Sequence, residues 1–286
     1  MKQESSLLTH FIHNSNIVGV CDFVSEKINS GIVIYEVLRV INGVPLFLTE
    51  HIERFYNSVG LLGYSTAISN SSLHLRIKTL IETNKLEYGN IRFQISYTDS
   101  GETQFYAWVT PYFYPTHEMY QNGASLTTFR ALRVNPNIKV FNPGLREKVT
   151  NLISQSVNYE ALLINNNDLI TEGSRSNVFF VTENRIVTPS LCAVLPGITR
   201  LKAIEITKKV KIECKEGNIS QSSLPLFDAA FITSTSAMIL PLSSINDVPF
   251  NPRHPIIKII IDAYNVMVKK NIETFSWSLI SDNSNF

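Results

Sequence analysis

The sequence has no surplus of charge of either sign: 25 Lys+Arg stand against 24 Asp+Glu, a formal net charge of +1. A field able to gather nucleic acid or an anionic lipid surface is therefore excluded, and any anion the chain binds must be gripped locally. Cysteine is scarce as well. Cys21, Cys192 and Cys214 are far apart and form no CxxC pair, so neither a disulfide framework nor a zinc or metal site is expected. Reduced thiols in a cytoplasm are the simplest reading. The opening stretch MKQESSLLTHFIHNSN lacks the apolar run of a signal peptide, which argues against export. Long apolar runs are also missing: Pro255 to Val268, the most apolar late stretch, contains Lys258 and Asp262 and is too short to span a bilayer. What is present is globular material, 44% hydrophobic, 10% aromatic and 17% charged over 286 residues, enough for two domains.

Along the chain, IVIYEVLRV and VPLFL flank Asn42-Gly43, a strong hairpin signal. Thr49 then reads as the cap of a helix in which Ile52, Phe55, Val59 and Leu62 recur at helical spacing, and Ser71-Ser72 opens a second amphipathic run. Strands return at NIRFQISYT and TQFYAWVTP, with Asp99-Ser100-Gly101 as their turn, giving an α+β unit of one sheet and two helices. YFYPTHEMYQN (112–122) shows no period and reads as a crossing segment. Two domains are therefore expected, 1–122 and a larger 123–286. The second holds strand-like SLTTFRALRV, a helix from Pro143, strands at YEALLI, SNVFFVT and DAAFITS, a helix from Ile198 through Val210 and a last helix near 255–270.

Four places carry chemistry. Lys139 lies between Ile138 and Val140-Phe141; apolar surroundings favour the neutral amine that a Schiff base needs, although a lone lysine is usually just solvated. Glu172 sits between a strand and Gly173, where a carboxylate can meet a cation in a cleft, though most turn glutamates are merely exposed. In LPGITR, Gly197-Ile198-Thr199 opens a helix whose free N–H groups suit a phosphate, or else form an ordinary cap. Arg54, in EHIERF, and the hydroxyl run Thr233 to Ser236, after DAAFI, are further anion ligands by type.

In this order, from the hairpin at Tyr35 to the region of Pro241, these segments resemble the class IV aminotransferases, the branched-chain and D-amino-acid aminotransferase family. NIKVFN resembles the family's Lys-x-x-Asn segment, ITEGSRSNVFFV its glutamate motif, VLPGITR its phosphate turn and FITSTSAMILPL its closing phosphate strand. Lys148 in EKVTN also has the Lys-x-x-Asn form, but starting there would erase most of the helix that the family puts before Glu172, and Arg146-Glu147-Lys148 reads as a solvated face. The resemblance implies the two-domain fold type IV of pyridoxal-phosphate enzymes, with pyridoxal 5'-phosphate as cofactor. It implies Lys139 as the catalytic, cofactor-bearing lysine and Glu172 as partner of the pyridine nitrogen. Arg54, Gly197, Ile198, Thr199 and Thr235 are then the phosphate ligands.

The implied reaction moves an amino group from an amino acid to a 2-oxo acid in a homodimer. The same machinery would serve 4-amino-4-deoxychorismate lyase chemistry, or be kept by a non-catalytic protein. The chain departs from the pattern at the substrate carboxylate: Ser96-Tyr97-Thr98 stands where D-specific enzymes have Arg-x-His. Tyr35 and Arg92 are the expected substrate-binding residues instead, and a branched or apolar L-amino acid is the expected donor. Met238, at a position often held by glutamate, and Arg175, where a small polar residue is usual, are further departures.

Overall fold

Antiparallel pairing dominates the first half of the chain. The computed structural model of the protein describes residues 8–24, 28–98 and 101–278, so Asp99 and Ser100 of the expected turn, like the first seven residues, lie outside the described residues. Strands β1 (His10–His13), β2 (Asn16–Gly19), β3 (Ile32–Ile41), β4 (Val44–Pro45), β5 (Tyr88–Tyr97) and β6 (Thr103–Thr110) form one sheet in the order β2-β1-β6-β5-β3-β4. The β3–β4 turn is the Asn42-Gly43 hairpin, with both residues at positive φ. Helices α1 (Leu48–Leu61) and α2 (Asn70–Asn84) bury Ile52, Phe55, Val59, Leu73, Ile77 and Leu80 against one face of this sheet, next to Leu38, Ile91 and Phe93.

The caps differ in detail from expectation. The residue that caps α1 is Phe47 in left-handed backbone, not Thr49, and its N–H donates to Asn271 Oδ1 (3.1 Å). Ser69 caps α2, accepting from Ser72 N–H. The segment without period holds a short helix, α3 (His117–Asn122), begun by Thr116; at six residues it is too short to display periodicity.

The second sheet is mixed and has ten strands. Its members are β7 (Ala124–Arg130), β8 (Glu160–Ile164), β9 (Leu169–Gly173), β10 (Asn177–Thr182), β11 (Arg185–Pro189), β12 (Glu213–Gly217), β13 (Ile219–Ser220), β14 (Ala229–Ser234), β15 (Met238–Ile245) and β16 (Val248–Pro249). Helices α4 (Pro143–Ser154), α5 (Ile198–Lys209) and α6 (Pro255–Thr274) complete the elements. None of the described helices is long and apolar enough to cross a membrane.

The chain divides into two compact units: Met1–Phe113 with Ile138–Phe141 and Val268–Phe286, and Tyr114–Asn137 with Asn142–Met267. The division thus falls within the crossing segment, between Phe113 and Tyr114, and one short excursion returns to the first unit. That excursion carries Lys139. Its cause is hydrogen bonding: β4 covers only the Val40-Ile41 end of β3, and the open edge at the other end takes residues 139–141. Tyr35 N–H donates to Lys139 O (3.1 Å) and Phe141 N–H to Val33 O (2.9 Å), around an isolated bridge between Ile34 and Val140.

Candidate active site

In the first unit the edge of β3 fixes Lys139 beside aromatic side chains. Lys139 is half-buried, its N–H donates to the buried Ser58 hydroxyl of α1 (3.4 Å), and its Nζ lies 4.8 Å above the Tyr35 ring. Arg92, across the sheet on β5, shares that ring. Its guanidinium carbon is 4.6 Å from the centroid of Tyr35, 4.5 Å from Phe141 and 5.1 Å from Trp108, and Nη2 donates to Asn29 Oδ1 (3.2 Å). A cation 3% exposed is tolerable here because the ring faces supply negative potential. The structure thus brings Lys139, Tyr35 and Arg92 together. Lys148, by contrast, is exposed on α4.

Arg54 is spent largely on a partner that the motif comparison did not reveal. Glu36, the residue after Tyr35, is fully buried; it accepts from Arg54 Nε (2.6 Å) and Nη2 (2.7 Å) and lies 2.9 Å from His51 Nδ1. Burial pushes the Glu36 carboxyl upward, but the Arg54 charge and the hydrogen bonds from Arg54 and His51 outweigh it and hold the group at about 2. His51 moves downward, because burial outweighs Glu36, with Arg54 and Lys139 adding to the shift. A neutral His51 facing an ionised carboxylate must carry its proton on Nδ1. The signal was in the sequence: a lone acid inside the apolar strand IVIYEVLRV demands a buried cation, and His51 and Arg54, three apart, share one helix face.

In the second unit Glu172 is 2% exposed at the end of β9, on the same face as buried Ile170. Oε1 accepts from Arg133 Nη1 (2.5 Å), and Oε2 from Leu195 N–H (2.9 Å) and Asn177 Nδ2 (3.5 Å). Arg133, in a loop after β7, had no sequence signal. Asn177 also donates to Leu195 O (2.9 Å), so it ties the carboxylate to the turn before α5. In that turn Gly197 is the residue before the helix and lies against Asn177 Oδ1, leaving no room for a Cβ. Ile198 and buried Thr199 form the first turn of α5, where backbone N–H groups have no helical acceptor. Thr235 follows β14 and is half-buried. The neighbouring Thr233 hydroxyl is buried without a hydrogen-bond partner and pairs in register with Asn177. The Arg175 side chain is exposed and only its backbone N–H turns inward, so its size creates no obstruction. No cluster of three His, Cys, Asp or Glu placed to hold a metal occurs among the described residues.

The first unit thus holds an amine on a ring-lined edge, and the second a buried carboxylate tied to the turn before a helix start. Comparisons with known proteins identify the family. The sequence profile described as Amino-transferase class IV matches residues 33–245. A D-alanine aminotransferase from Bacillus licheniformis is 30% identical over 223 residues, covering 74% of this chain and 78% of that one. Among solved structures, the branched-chain amino acid aminotransferase of Escherichia coli superposes with a TM-score of 0.82 at 23% identity, over 91% of this chain and 95% of that chain. The branched-chain amino acid aminotransferase of T.th., solved in complex with N-(5'-phosphopyridoxyl)-L-glutamate, gives 0.78 at 22% identity, over 93% and 96%. The fold is therefore the fold type IV expected from the motifs, and the chain belongs to the class IV aminotransferase family.

Proposed function

We propose that this protein moves an amino group from an amino acid to a 2-oxo acid, using pyridoxal 5'-phosphate attached to Lys139. The observation that carries this reading is the contrast between the two Lys-x-x-Asn lysines: Lys139 is held on the Tyr35 ring beside Arg92, whereas Lys148 faces solvent. The donor set suits the cofactor, including the buried, unpartnered Thr233 hydroxyl at the phosphate end. Gly197, Ile198 and Thr199 offer N–H groups and a hydroxyl to the phosphate, Thr235 adds a hydroxyl, and Arg54 adds its positive charge.

Bound there, the cofactor supplies an aldehyde carbon to receive the amino group and a pyridinium ring to draw electrons from the substrate α-carbon. Glu172 keeps the ring nitrogen protonated. Arg133 and Leu195 N–H donate to its carboxylate and fix its direction. Lys139 Nζ would take the proton from the substrate α-carbon and return it. Tyr35 and Arg92 receive the substrate carboxylate. The rings of half-buried Tyr35 and Phe141 favour a branched or apolar side chain, and without an Arg-x-His pair an L-amino acid is the preferred donor. We place the enzyme in the cytoplasm as a homodimer, on its family and its reduced cysteines.

Incubating the pure protein with matched D and L donors, several 2-oxo acids and, separately, 4-amino-4-deoxychorismate tests the reading. Amino transfer to an oxo acid is expected. Pyruvate release from aminodeoxychorismate without transfer would replace it with the lyase reaction.

A further inference from the structure

Glu160 is a buried acid with no part in the chemistry described above. It opens β8, is 5% exposed, and no Lys or Arg side chain forms an ion pair with it among the described residues. Its carboxylate instead faces the loop between β9 and β10. Oε1 accepts from Arg175 N–H (2.5 Å) and the Ser174 hydroxyl (3.2 Å), and Oε2 from the Ser176 hydroxyl (2.8 Å). Burial pushes this carboxyl upward, and the Arg175 N–H, the serine hydroxyls and the Arg175 charge only partly offset it.

The loop is the one that separates Glu172 from Asn177. On its near side the backbone ladder between β8 and β9 runs through Leu162 opposite Gly173, and Ser174 N–H still reaches Ala161 O (2.9 Å). There the backbone partner runs out. The Glu160 side chain takes over for the next two residues, and the chain re-enters regular structure at Asn177. Gly173 fits the same device: a Cβ there would run into Ser176 Oγ and Glu160 Oε1.

We propose that Glu160 is a positioning residue for Glu172: its carboxylate clamps the Gly173–Ser176 turn so that Glu172 and Asn177 present their polar groups together. This rests on the reading of Glu172 as partner of the cofactor's ring nitrogen. Glu160 touches neither cofactor nor substrate, so its removal acts through Glu172 rather than through binding.

The test is a double-mutant cycle on pure, pyridoxal-phosphate-loaded protein, read by kcat, KM, cofactor Kd and the absorption band of the bound cofactor. Glu160→Ala is expected to lower kcat about 10- to 100-fold, the scale of a misplaced group. Cofactor Kd should change little, and the band should shift in the direction that Glu172→Gln shifts it. Placed in the Glu172→Gln background, Glu160→Ala should cost less than about threefold more. Glu160→Gln, which keeps an oxygen for Arg175 N–H and can donate to Ser176 Oγ, should restore most of kcat. If Glu160→Ala does not fold, Ser176→Ala carries the same cycle with a smaller loss. Equal losses in both backgrounds with an unmoved band would make Glu160 merely structural and overturn the proposal. A wild-type protein that takes up no pyridoxal phosphate would overturn the functional reading and this one with it, whereas additive losses in a loaded enzyme overturn this one alone.

Discussion

Glu36 and Glu160 are both buried carboxyls, one in each unit, and their acidities are shifted in opposite directions. Glu36 meets a guanidinium through two hydrogen bonds and a histidine through a third, and is held at about 2. Glu160 meets a backbone N–H and two hydroxyls, and burial prevails, pushing it up. Burial is common to both, so the difference lies in the guanidinium of Arg54 in direct contact with Glu36, where Glu160 has only the backbone N–H of Arg175 in contact and that residue's charge from farther off. Hydroxyl and amide donors satisfy a carboxylate's lone pairs without repaying all of its lost hydration. Glu172, like Glu36, has a guanidinium partner, Arg133.

The sharpest way to break this comparison is to delete each acid. Glu36→Ala removes the carboxylate that takes two hydrogen bonds from buried Arg54 and should cost about 3–5 kcal/mol of unfolding free energy, near the limit of what a domain tolerates. Glu160→Ala strands only an N–H and hydroxyls, and about 1–3 kcal/mol is expected. Urea unfolding of the two variants compares them; equal costs would show that the guanidinium is not the deciding partner.

The pH dependence follows with opposite signs. The folded value of Glu36 is below its unfolded value, so its stabilisation, about 3 kcal/mol, is complete above about 4.5 and lost as the pH falls toward 2. His51 acts in the same direction: its folded value is lowered, so stability is lost as the pH falls below 6.5 and the unfolded chain takes up the proton first. Glu160 is reversed. Its folded value is raised, so its contribution is complete below about 4.5 and lost as the pH rises through the folded value. Accordingly Glu36→Gln should be costly at pH 7 and nearly harmless near pH 2, whereas Glu160→Gln should be neutral or stabilising at pH 7. Thermal melts from pH 3 to 8 report both slopes, and parallel slopes would contradict the assignment.

Glu172→Gln sharpens the comparison on the chemical side. The phosphate contacts are untouched, so cofactor should remain bound while kcat falls on the order of 100-fold, about 2.7 kcal/mol of activation free energy. Near-normal turnover would remove Glu172 from its role. The smallest expected effect concerns specificity: with Ser96-Tyr97-Thr98 in place of an Arg-x-His pair, D-alanine should be used about tenfold less well than a branched L-amino acid in kcat/KM. The relatives carry both names, D-alanine and branched-chain aminotransferase, so only the paired assay decides.

The sequence made long, periodic or strongly patterned elements legible and left side-chain partnerships mostly dark. The Asn42-Gly43 hairpin, both helices after it, the Pro143 and Ile198 helices and the strands at 160–164, 177–182 and 229–234 all occur within a residue or two of expectation. Phe47 as the residue before α1 was not legible, because its partner, Asn271, is 224 positions away. The hairpin of β1 and β2 carried no readable signal because its four-residue strands, HFIH and NIVG, are too short for a period. Motif order singled out Lys139 and Glu172, but not the ion pairs that hold Arg54 and Glu172. Glu36 could have been found from its apolar strand, whereas Arg133 joins Glu172 only through the fold, from a loop with no pattern of its own.

One measurement bears on the central claim more directly than any other: borohydride reduction of the pyridoxal-phosphate-treated protein, followed by proteolysis and mass mapping of the labelled peptide. The account predicts a single phosphopyridoxyl lysine at Lys139, abolished by Lys139→Ala and untouched by Lys148→Ala. Label on Lys148, or on no lysine at all, would contradict it.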